Sequence, residues 1–251
     1  MTGRHTRHVG LIVGAILLCG MTLSSCATHT DRAILGGTAW FTEGRYQIIS
    51  DIKISELQIR RVRELGIQGC GSRSEVYDHI QLYGPINADA TYVVERLLET
   101  IMNSNRCTNP ANRTKYVVSV YLHSWGGYLR DGYELGELFR RYRAQTWIPY
   151  GGECFSACAT AFLGGTFRKM TETSTLMFHA PYKQENNFSR DIVCASEEGG
   201  SVTEELRRYF VKMLNQRTGD LLHQRTMSYC GSNTGWFLNP DAARLFGLLA
   251  G

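Results

Sequence analysis

The chain has 251 residues, with 27 lysines or arginines against 23 aspartates or glutamates, and a formal net charge of +4. Because 43% of the residues are hydrophobic, the chain can bury a substantial core. The near balance of charge argues against a protein that binds nucleic acid through a basic surface, and the two densest basic stretches, residues 60–63 and 140–143, are short and predicted to lie on solvated helix faces.

The first residues are typical of a targeting segment. Two arginines precede an apolar run over residues 9–18, which is too short to span a bilayer comfortably. Leu-Ser-Ser-Cys follows at residues 23–26 and resembles the cleavage box of bacterial lipoproteins. That resemblance implies that residues 1–25 are removed, that Cys26 is lipidated, and that Ala27 directs the periplasmic protein to the outer membrane. An ordinary secretory signal cleaved after Ala27 and a retained membrane anchor are the alternatives, and all three export the chain.

Removal of that segment leaves 251 − 25 = 226 residues, which fit one domain. Residues 26–75 are expected to be irregular, with strand-like pieces near Tyr46–Ile54, and the ordered domain is expected over residues 76–251. There, strands alternate with helices, which is the pattern of parallel β-α units and of the α/β class. The predicted strands cover 79–83, 116–122, 145–150 and 174–179, and the predicted helices cover 129–143, 155–163 and 202–216, with another beginning near 87–89 and a polar insertion at 183–201.

A pair of glycines, Gly126 and Gly127, follows the strand predicted at 116–122. Two glycines permit a backbone geometry and a close approach that side chains forbid. We therefore predict that Gly126, Gly127 and Ala157 form an oxyanion hole, in which the amides of Gly127 and Ala157 bind the oxyanion of a substrate during acyl transfer.

Ser156 and His179 stand at the ends of the next predicted strands. Ser156 opens a helix of small residues whose first amides have no partner within the helix. Because the carboxyl ends of parallel strands meet at one edge of a sheet, the hydroxyl and the imidazole can meet there as nucleophile and general base. A helix cap is the commoner role of such a serine, and a structural role the commoner one of such a histidine. Their shared placement favours a serine hydrolase, and in particular a peptidase.

The order of these signals resembles the Clp protease proteolytic subunit and its relatives in the Clp/crotonase superfamily, over about residues 78–250. Those proteins carry Ser-Pro-Gly-Gly after a strand, where this chain has Ser-Trp-Gly-Gly at 124–127. They carry a nucleophilic serine before small residues, as at 156–157, and a histidine after an apolar strand, as at 179–181.

The resemblance implies a Clp/crotonase-like fold of repeated β-β-α and β-α units, with a mainly parallel sheet flanked by helices. It also implies a peptide or protein substrate paired as an added strand near residues 128–130, and assembly into a homo-oligomer. We expect no cofactor, no metal ion and no nucleic-acid partner.

One departure from the family pattern concerns the third catalytic residue. The family aspartate aligns near Gly235, where this chain has no acid. Asn233 and Asp220 are candidates to orient the imidazole, and Lys183, or less well Lys169, would suit the serine–lysine pair of some relatives. A degenerate relative that binds peptides or partner proteins without cleaving them is therefore one alternative. A crotonase-like acyl-thioester enzyme is another, although no nucleotide-binding feature supports it.

Cysteine usage also favours export. Of eight cysteines, Cys19 would leave with the signal and Cys26 would carry lipid. The even number that remains favours disulfides in an oxidising compartment, although sequence alone does not choose the pairing. The remaining cysteines are Cys70, Cys107, Cys154, Cys158, Cys194 and Cys230.

Two pairs of these cysteines have suggestive positions. Cys194 and Cys230 flank a helical segment and are predicted to join its ends. Cys154 and Cys158 bracket Ser156, where a disulfide between them, or to other cysteines, would brace the turn of the nucleophile. A zinc site combining these thiols with His123 and His179 is disfavoured because Cys-x-x-x-Cys is not the usual zinc spacing.

Overall fold

A computed structural model describes residues 46–64, 77–104, 117–184, 192–194, 200–231 and 234–249. The targeting segment with Cys26, and likewise Cys70, Cys107 and Asn233, lie outside the described residues. The described part confirms the predicted α/β class, with a mainly parallel central sheet and flanking helices.

Eleven strands are present in the described residues. They are β1 (Tyr46–Ile54), β2 (Leu57–Glu64), β3 (Tyr77–Tyr83), β4 (Ser119–His123), β5 (Gln145–Ile148), β6 (Glu153–Phe155), β7 (Phe167–Met170), β8 (Thr175–Phe178), β9 (Tyr182–Gln184), β10 (Ile192–Cys194) and β11 (Trp236–Leu238). The main sheet has the order β1-β2-β3-β4-β5-β7. Strand β2 is antiparallel to both of its neighbours, β1 and β3, and strands β3, β4, β5 and β7 run parallel.

A second sheet positions the candidate site. It has the order β11-β8-β6, in which β6 and β8 are parallel and β11 is antiparallel to β8. Strands β9 and β10 pair separately as an antiparallel hairpin. The second sheet is therefore held together by one strand from the last part of the chain and two from its middle.

Helices cover the main sheet and bury their apolar faces against it. They are α1 (Ala88–Ser104), α2 (Leu129–Arg141), α3 (Ala157–Phe162), α4 (Ser201–Met213), α5 (Gln216–Met227) and α6 (Pro240–Leu245). In α1, Val94, Leu98 and Ile101 recur at helical spacing and are fully buried. Within the described ranges, no helix is long and apolar enough to cross a bilayer.

Helices α2 and α3 approach each other closely through small residues. A Cβ atom added to Gly132 of α2 would lie 2.6 Å from the carbonyl oxygen of Ala157, and one added to Gly164 would overlap the backbone of Gly136. Only hydrogen atoms fit between the two backbones at these positions. The beginning of α3, which follows Ser156, is therefore held firmly against α2.

The helix predicted over residues 202–216 corresponds to α4, and a further helix, α5, follows it. Helix α4 ends at Met213, and α5 begins at Gln216 after Asn215, whose side chain accepts a hydrogen bond from the amide of Thr218 at 2.9 Å. This side-chain cap satisfies an amide at the start of α5 and so favours a break at that point.

Residues 60–63 form part of β2, so their prediction as a helix face is wrong. Arg61 and Arg63 both donate hydrogen bonds to Asp78, a fully buried carboxylate on the neighbouring strand β3. Burial alone would raise the pKa of Asp78, but the hydrogen bonds from Arg63 and Arg61 outweigh it and lower the pKa. The basic stretch is a structural ion-pair cluster within the sheet.

Candidate active site

The backbones of three strands bring the separate motifs to one place. The chain beyond β4 pairs with β6, since the amide of Ser124 donates to Glu153 O at 2.7 Å and that of Phe155 donates to Ser124 O at 2.9 Å. Strand β6 pairs in turn with β8 in parallel register, with Phe155 opposite Met177. Ser156 therefore lies beside Phe178, one residue before His179, and next to the Gly-Gly turn.

Ser156 adopts a strained backbone conformation between β6 and α3. Its φ is 56° and its ψ is −119°, a combination that residues other than glycine rarely adopt. Its side chain makes no capping hydrogen bond to α3. The alternative role of Ser156 as a helix cap therefore does not hold. A sharp, strained strand-to-helix turn is how α/β hydrolases expose a nucleophilic hydroxyl.

The two glycines form a wall directly beside Ser156. Gly126 has φ +105°, and a Cβ atom there would lie 2.8 Å from the Ser156 Cβ and 2.8 Å from the carbonyl oxygen of Phe155. The Ser124 hydroxyl accepts a hydrogen bond from the Gly126 amide at 3.1 Å and closes the turn. The amides of Gly127 and Ala157 make no hydrogen bond within the described part of the chain. They are thus available to an oxyanion.

His179 is half-buried, and its ring has a defined hydrogen-bond partner. Nδ1 lies 2.8 Å from the carbonyl oxygen of Ala180. A carbonyl can only accept, so Nδ1 carries the proton and Nε2 keeps its lone pair. Burial lowers the pKa of His179 below 6.5, and the Ala180 carbonyl opposes this shift only in part. The ring is therefore neutral near pH 7, with its basic nitrogen in the correct tautomer.

Ser156 and His179 line the same cavity of about 810 Å³. Gly127 and Tyr128 also line it, and Tyr128 is 80% exposed at its rim. Other parts of the wall are apolar: Phe178, Pro181, Leu206 and Phe210. An open groove with an apolar wall beside a serine and a neutral imidazole has the properties of a site for acyl transfer from a peptide.

The sequence model of a protein family described as Clp protease matches residues 76–250. The chain belongs to the Clp protease family. Two solved structures show a similar fold. One is a serine-to-alanine mutant of the membrane-bound, stomatin-specific protease 1510-N, with 14% identity, a TM-score of 0.49, and coverage of 67% of this chain and 75% of that chain. The other is an asparagine-to-aspartate mutant of ClpP1 from Listeria monocytogenes, with 16% identity, a TM-score of 0.47, and coverage of 67% and 86%. No curated protein matches the sequence.

The candidates for a third catalytic residue in this member of the Clp protease family are dispersed. Asp220 is half-buried on α5, where it pairs with Arg207 at 2.8 Å and accepts a hydrogen bond from Gln216. Lys183 is exposed and lines the cavity, whereas Lys169 lies 4.6 Å from the ring centre of Trp147. Asn233 is outside the described residues. Asp220 and Lys169 are not part of the cavity wall.

Among the described residues, the hydrogen-bond partner of the His179 ring is the Ala180 carbonyl. Sequence reasoning missed it, because every residue has a carbonyl and no side-chain pattern distinguishes this one. Its orientation is set by the neighbouring backbone: the Ala180 amide donates to Tyr229 O at 2.7 Å, so the chain after β8 is held beside the end of α5. A backbone carbonyl thus contacts His179 Nδ1, where the family pattern leads one to expect a carboxylate.

Two disulfides are present in the described residues, and both involve predicted candidates. Cys154 is bonded to Cys158, with a Cα–Cα distance of 5.1 Å, so a disulfide spans Ser156. Cys194 is bonded to Cys230, as predicted, with a Cα–Cα distance of 5.8 Å.

His123 has a structural role. Its Nδ1 accepts a hydrogen bond from the amide of Glu153 at 2.8 Å, and its ring stacks on Tyr83 with centroids 4.9 Å apart. Cys154 and Cys158 are bonded to each other, so neither can supply a thiolate ligand to the disfavoured zinc site. Within the described ranges, no group of three or more acidic, cysteine or histidine side chains is placed to hold a metal ion.

Proposed function

We propose that this Clp-family protein is a serine peptidase in which Ser156 is the nucleophile and His179 the general base. The observation that carries the proposal is the strained, uncapped Ser156, which opens onto the same cavity as His179. Membership of the Clp protease family supports a peptidase-type function and action on peptides or proteins.

In the proposed reaction, Ser156 Oγ attacks the carbonyl carbon of the scissile peptide bond while His179 Nε2 takes the hydroxyl proton. The carbonyl oxygen becomes the oxyanion, and the amides of Gly127 and Ala157 donate to it. When the tetrahedral intermediate collapses, the leaving amine takes the proton from His179. Water then attacks the acyl-enzyme by the same route, which releases the acid and restores the Ser156 hydroxyl.

The Ala180 carbonyl has a defined part in this scheme. It holds the imidazole in the productive tautomer and attracts the imidazolium that forms in the transition state. Because a carbonyl carries only a partial negative charge, it stabilises the imidazolium less than a carboxylate does. We therefore expect turnover to be slower than in a peptidase with a full triad, but not absent.

Substrate binding as an added strand near residues 128–130 needs correction. Tyr128 is extended, with φ −69° and ψ 136°, but helix α2 begins at Leu129. Gly126 O already accepts a hydrogen bond from the Ile86 amide at 2.7 Å. Only the short stretch at Gly127 and Tyr128 has an extended backbone for a substrate, so we propose that few backbone bonds contribute there and that the apolar wall contributes more.

A fluorophosphonate probe tests the proposed nucleophile. The wild-type protein should be labelled, Ser156→Ala should lose all labelling, and His179→Ala should lose most of it. Ser228→Ala, a change of an exposed serine that directly follows α5 and does not line the cavity, is the matched control and should be labelled as the wild type is. Folded wild-type protein that is not labelled would instead favour the alternative, a family member that binds peptides or partner proteins without cleaving them. The observation that supports this alternative is that no carboxylate of the described residues hydrogen-bonds to His179.

We further propose export and anchoring by a lipid on Cys26, with self-association of the mature chain. The two disulfides support an oxidising compartment. Radioactive palmitate should label the wild-type chain and not Cys26→Ala, and cell fractionation should place the label in the outer membrane. Analytical ultracentrifugation of the mature domain should give a homo-oligomer, and a monomer at every concentration would refute self-association.

A further inference from the structure

The disulfide between Cys154 and Cys158 encloses the two groups on which the proposed reaction depends. Cys154 is in β6, Cys158 is in α3, and the residues between them include Ser156 and Ala157. We propose that this disulfide is a positioning element that holds the Ser156 hydroxyl and the Ala157 amide in their working geometry, so that the rate of hydrolysis depends on it. This inference rests on the proposed function.

The backbone hydrogen bonds at Ser156 fix each side of the turn separately. The Ser156 amide donates to Met177 O at 2.9 Å, which fixes the strand side, and the Thr160 amide donates to Ser156 O at 3.0 Å, which fixes the helix side. A residue in a sparsely populated conformation persists only where its surroundings over-determine it. The disulfide supplies the missing constraint because it joins the strand side directly to the helix side.

The size of the loop points to a local role for this disulfide. It closes a loop with a sequence separation of 4, whereas the Cys194–Cys230 disulfide closes one with a separation of 36. A short loop removes less conformational freedom from the unfolded chain than a long one does. The stabilising effect of the short disulfide on the whole fold is therefore the smaller of the two, while its effect on the conformation of Ser156 is direct.

Burial distinguishes this disulfide from a redox-active pair. Cys154 and Cys158 are both 0% exposed. Thiol–disulfide exchange requires an attacking thiolate to reach a sulfur atom, and a fully buried pair does not permit this in the folded state. The pair is placed to position the nucleophile and not to exchange with a substrate.

The test compares two double variants. Cys154→Ala/Cys158→Ala should show a fall of about 5- to 150-fold in the rate of fluorophosphonate labelling and in kcat for a peptide. This is the factor by which the strained, productive conformation of Ser156 should become less populated without the disulfide. KM should stay within about twofold, because the cavity wall is unchanged. Cys194→Ala/Cys230→Ala, the control, should lose more in Tm and less than about threefold in kcat, measured well below both melting temperatures.

A second measurement covers the case in which the first variant does not fold. The unsubstituted protein is refolded once under reducing and once under oxidising conditions, and the state of its cysteines is checked by mass spectrometry. The oxidised form should be labelled faster by the same factor, and the control variant should respond equally. If the folded Cys154/Cys158 variant, or the reduced protein, is labelled at the same rate as the oxidised wild type, this inference is overturned and the proposed function is not. No labelling of the oxidised wild type would overturn the proposed function and this inference with it.

Discussion

Gly126→Ala should displace the nucleophile without removing any reacting group. The new Cβ would lie 2.8 Å from the Ser156 Cβ, whereas ordinary contacts begin at 3.4 Å, so the atoms must separate by about 0.6 Å. A displacement of about 1 Å in a catalytic geometry costs on the order of 100-fold in rate. We therefore expect fluorophosphonate labelling to slow by about 10- to 100-fold. The free energy of unfolding should fall by about 1–3 kcal/mol for the positive φ, and by a further ~1–3 kcal/mol for the overlap.

Gly200→Ala is the matched control for that variant. Gly200 has a similar φ of +116°, but a Cβ there would meet nothing within 4 Å. It should lose stability through the backbone term alone and keep the wild-type labelling rate. Urea unfolding and labelling kinetics on both variants separate the two effects. Equal labelling rates for the two variants would show that the Gly-Gly turn does not press on Ser156.

Three further predictions concern pH, the buried ion pairs and the cavity. Because burial lowers the pKa of His179 below its usual value of 6.5 and the base works in its neutral form, the inflection of the labelling rate against pH should lie below 6.5; an inflection above 6.5 would contradict this. Arg61→Met should reduce the free energy of unfolding, measured by urea denaturation, by about 3 kcal/mol, because the fully buried Asp78 loses one of its guanidinium partners. A reduction below about 1 kcal/mol would refute this. Thr226 lines the cavity, and its hydroxyl is buried without a partner in the described part of the chain. Thr226→Val should therefore leave the free energy of unfolding unchanged or raise it by up to ~1 kcal/mol in the same assay. A clear fall in that free energy would show that the hydroxyl is hydrogen-bonded.

The sequence predicted the α/β class but not how the strands divide between sheets. It placed the glycine pair, Ser156 and His179 at one edge of a single parallel sheet, whereas the glycine pair follows β4 of the main sheet and Ser156 and His179 follow β6 and β8 of the second sheet. The pairing of Cys194 with Cys230, proposed from the helical segment between them, is confirmed, although six cysteines allow other pairings. These inferences depend on local patterns and on general rules of chain topology.

Other features depend on contacts that no local pattern reports. Strand β6 has three residues, too few to show a periodicity, yet it sets the register between Ser156 and β8. The break between α4 and α5 depends on one side-chain cap at Asn215. The strand-like piece expected near Tyr46–Ile54 is confirmed as β1, whereas β2 and the pairing that extends the main sheet were not predicted.

The role of the Ala180 carbonyl was equally inaccessible to sequence reasoning. A search for the third catalytic member considers side chains, and here the partner of the His179 ring is a backbone atom. Its position depends on the pairing of Ala180 with Tyr229, which lies 49 residues further along the chain. Only the folded chain brings these two residues together.

The order of strands in the second sheet has a consequence for biosynthesis. Strand β8, which leads to His179, lies between β6 and β11, and β11 begins only at Trp236. The buried Arg168 donates to Leu248 O at 2.6 Å, so a segment near the middle of the chain also needs a contact with residues that are synthesised last. A nascent chain therefore carries Ser156, the proposed nucleophile, long before the strand that leads to His179 has both of its neighbours. We expect fragments that end before residue 236 not to react with a fluorophosphonate, because β8 then lacks one neighbouring strand.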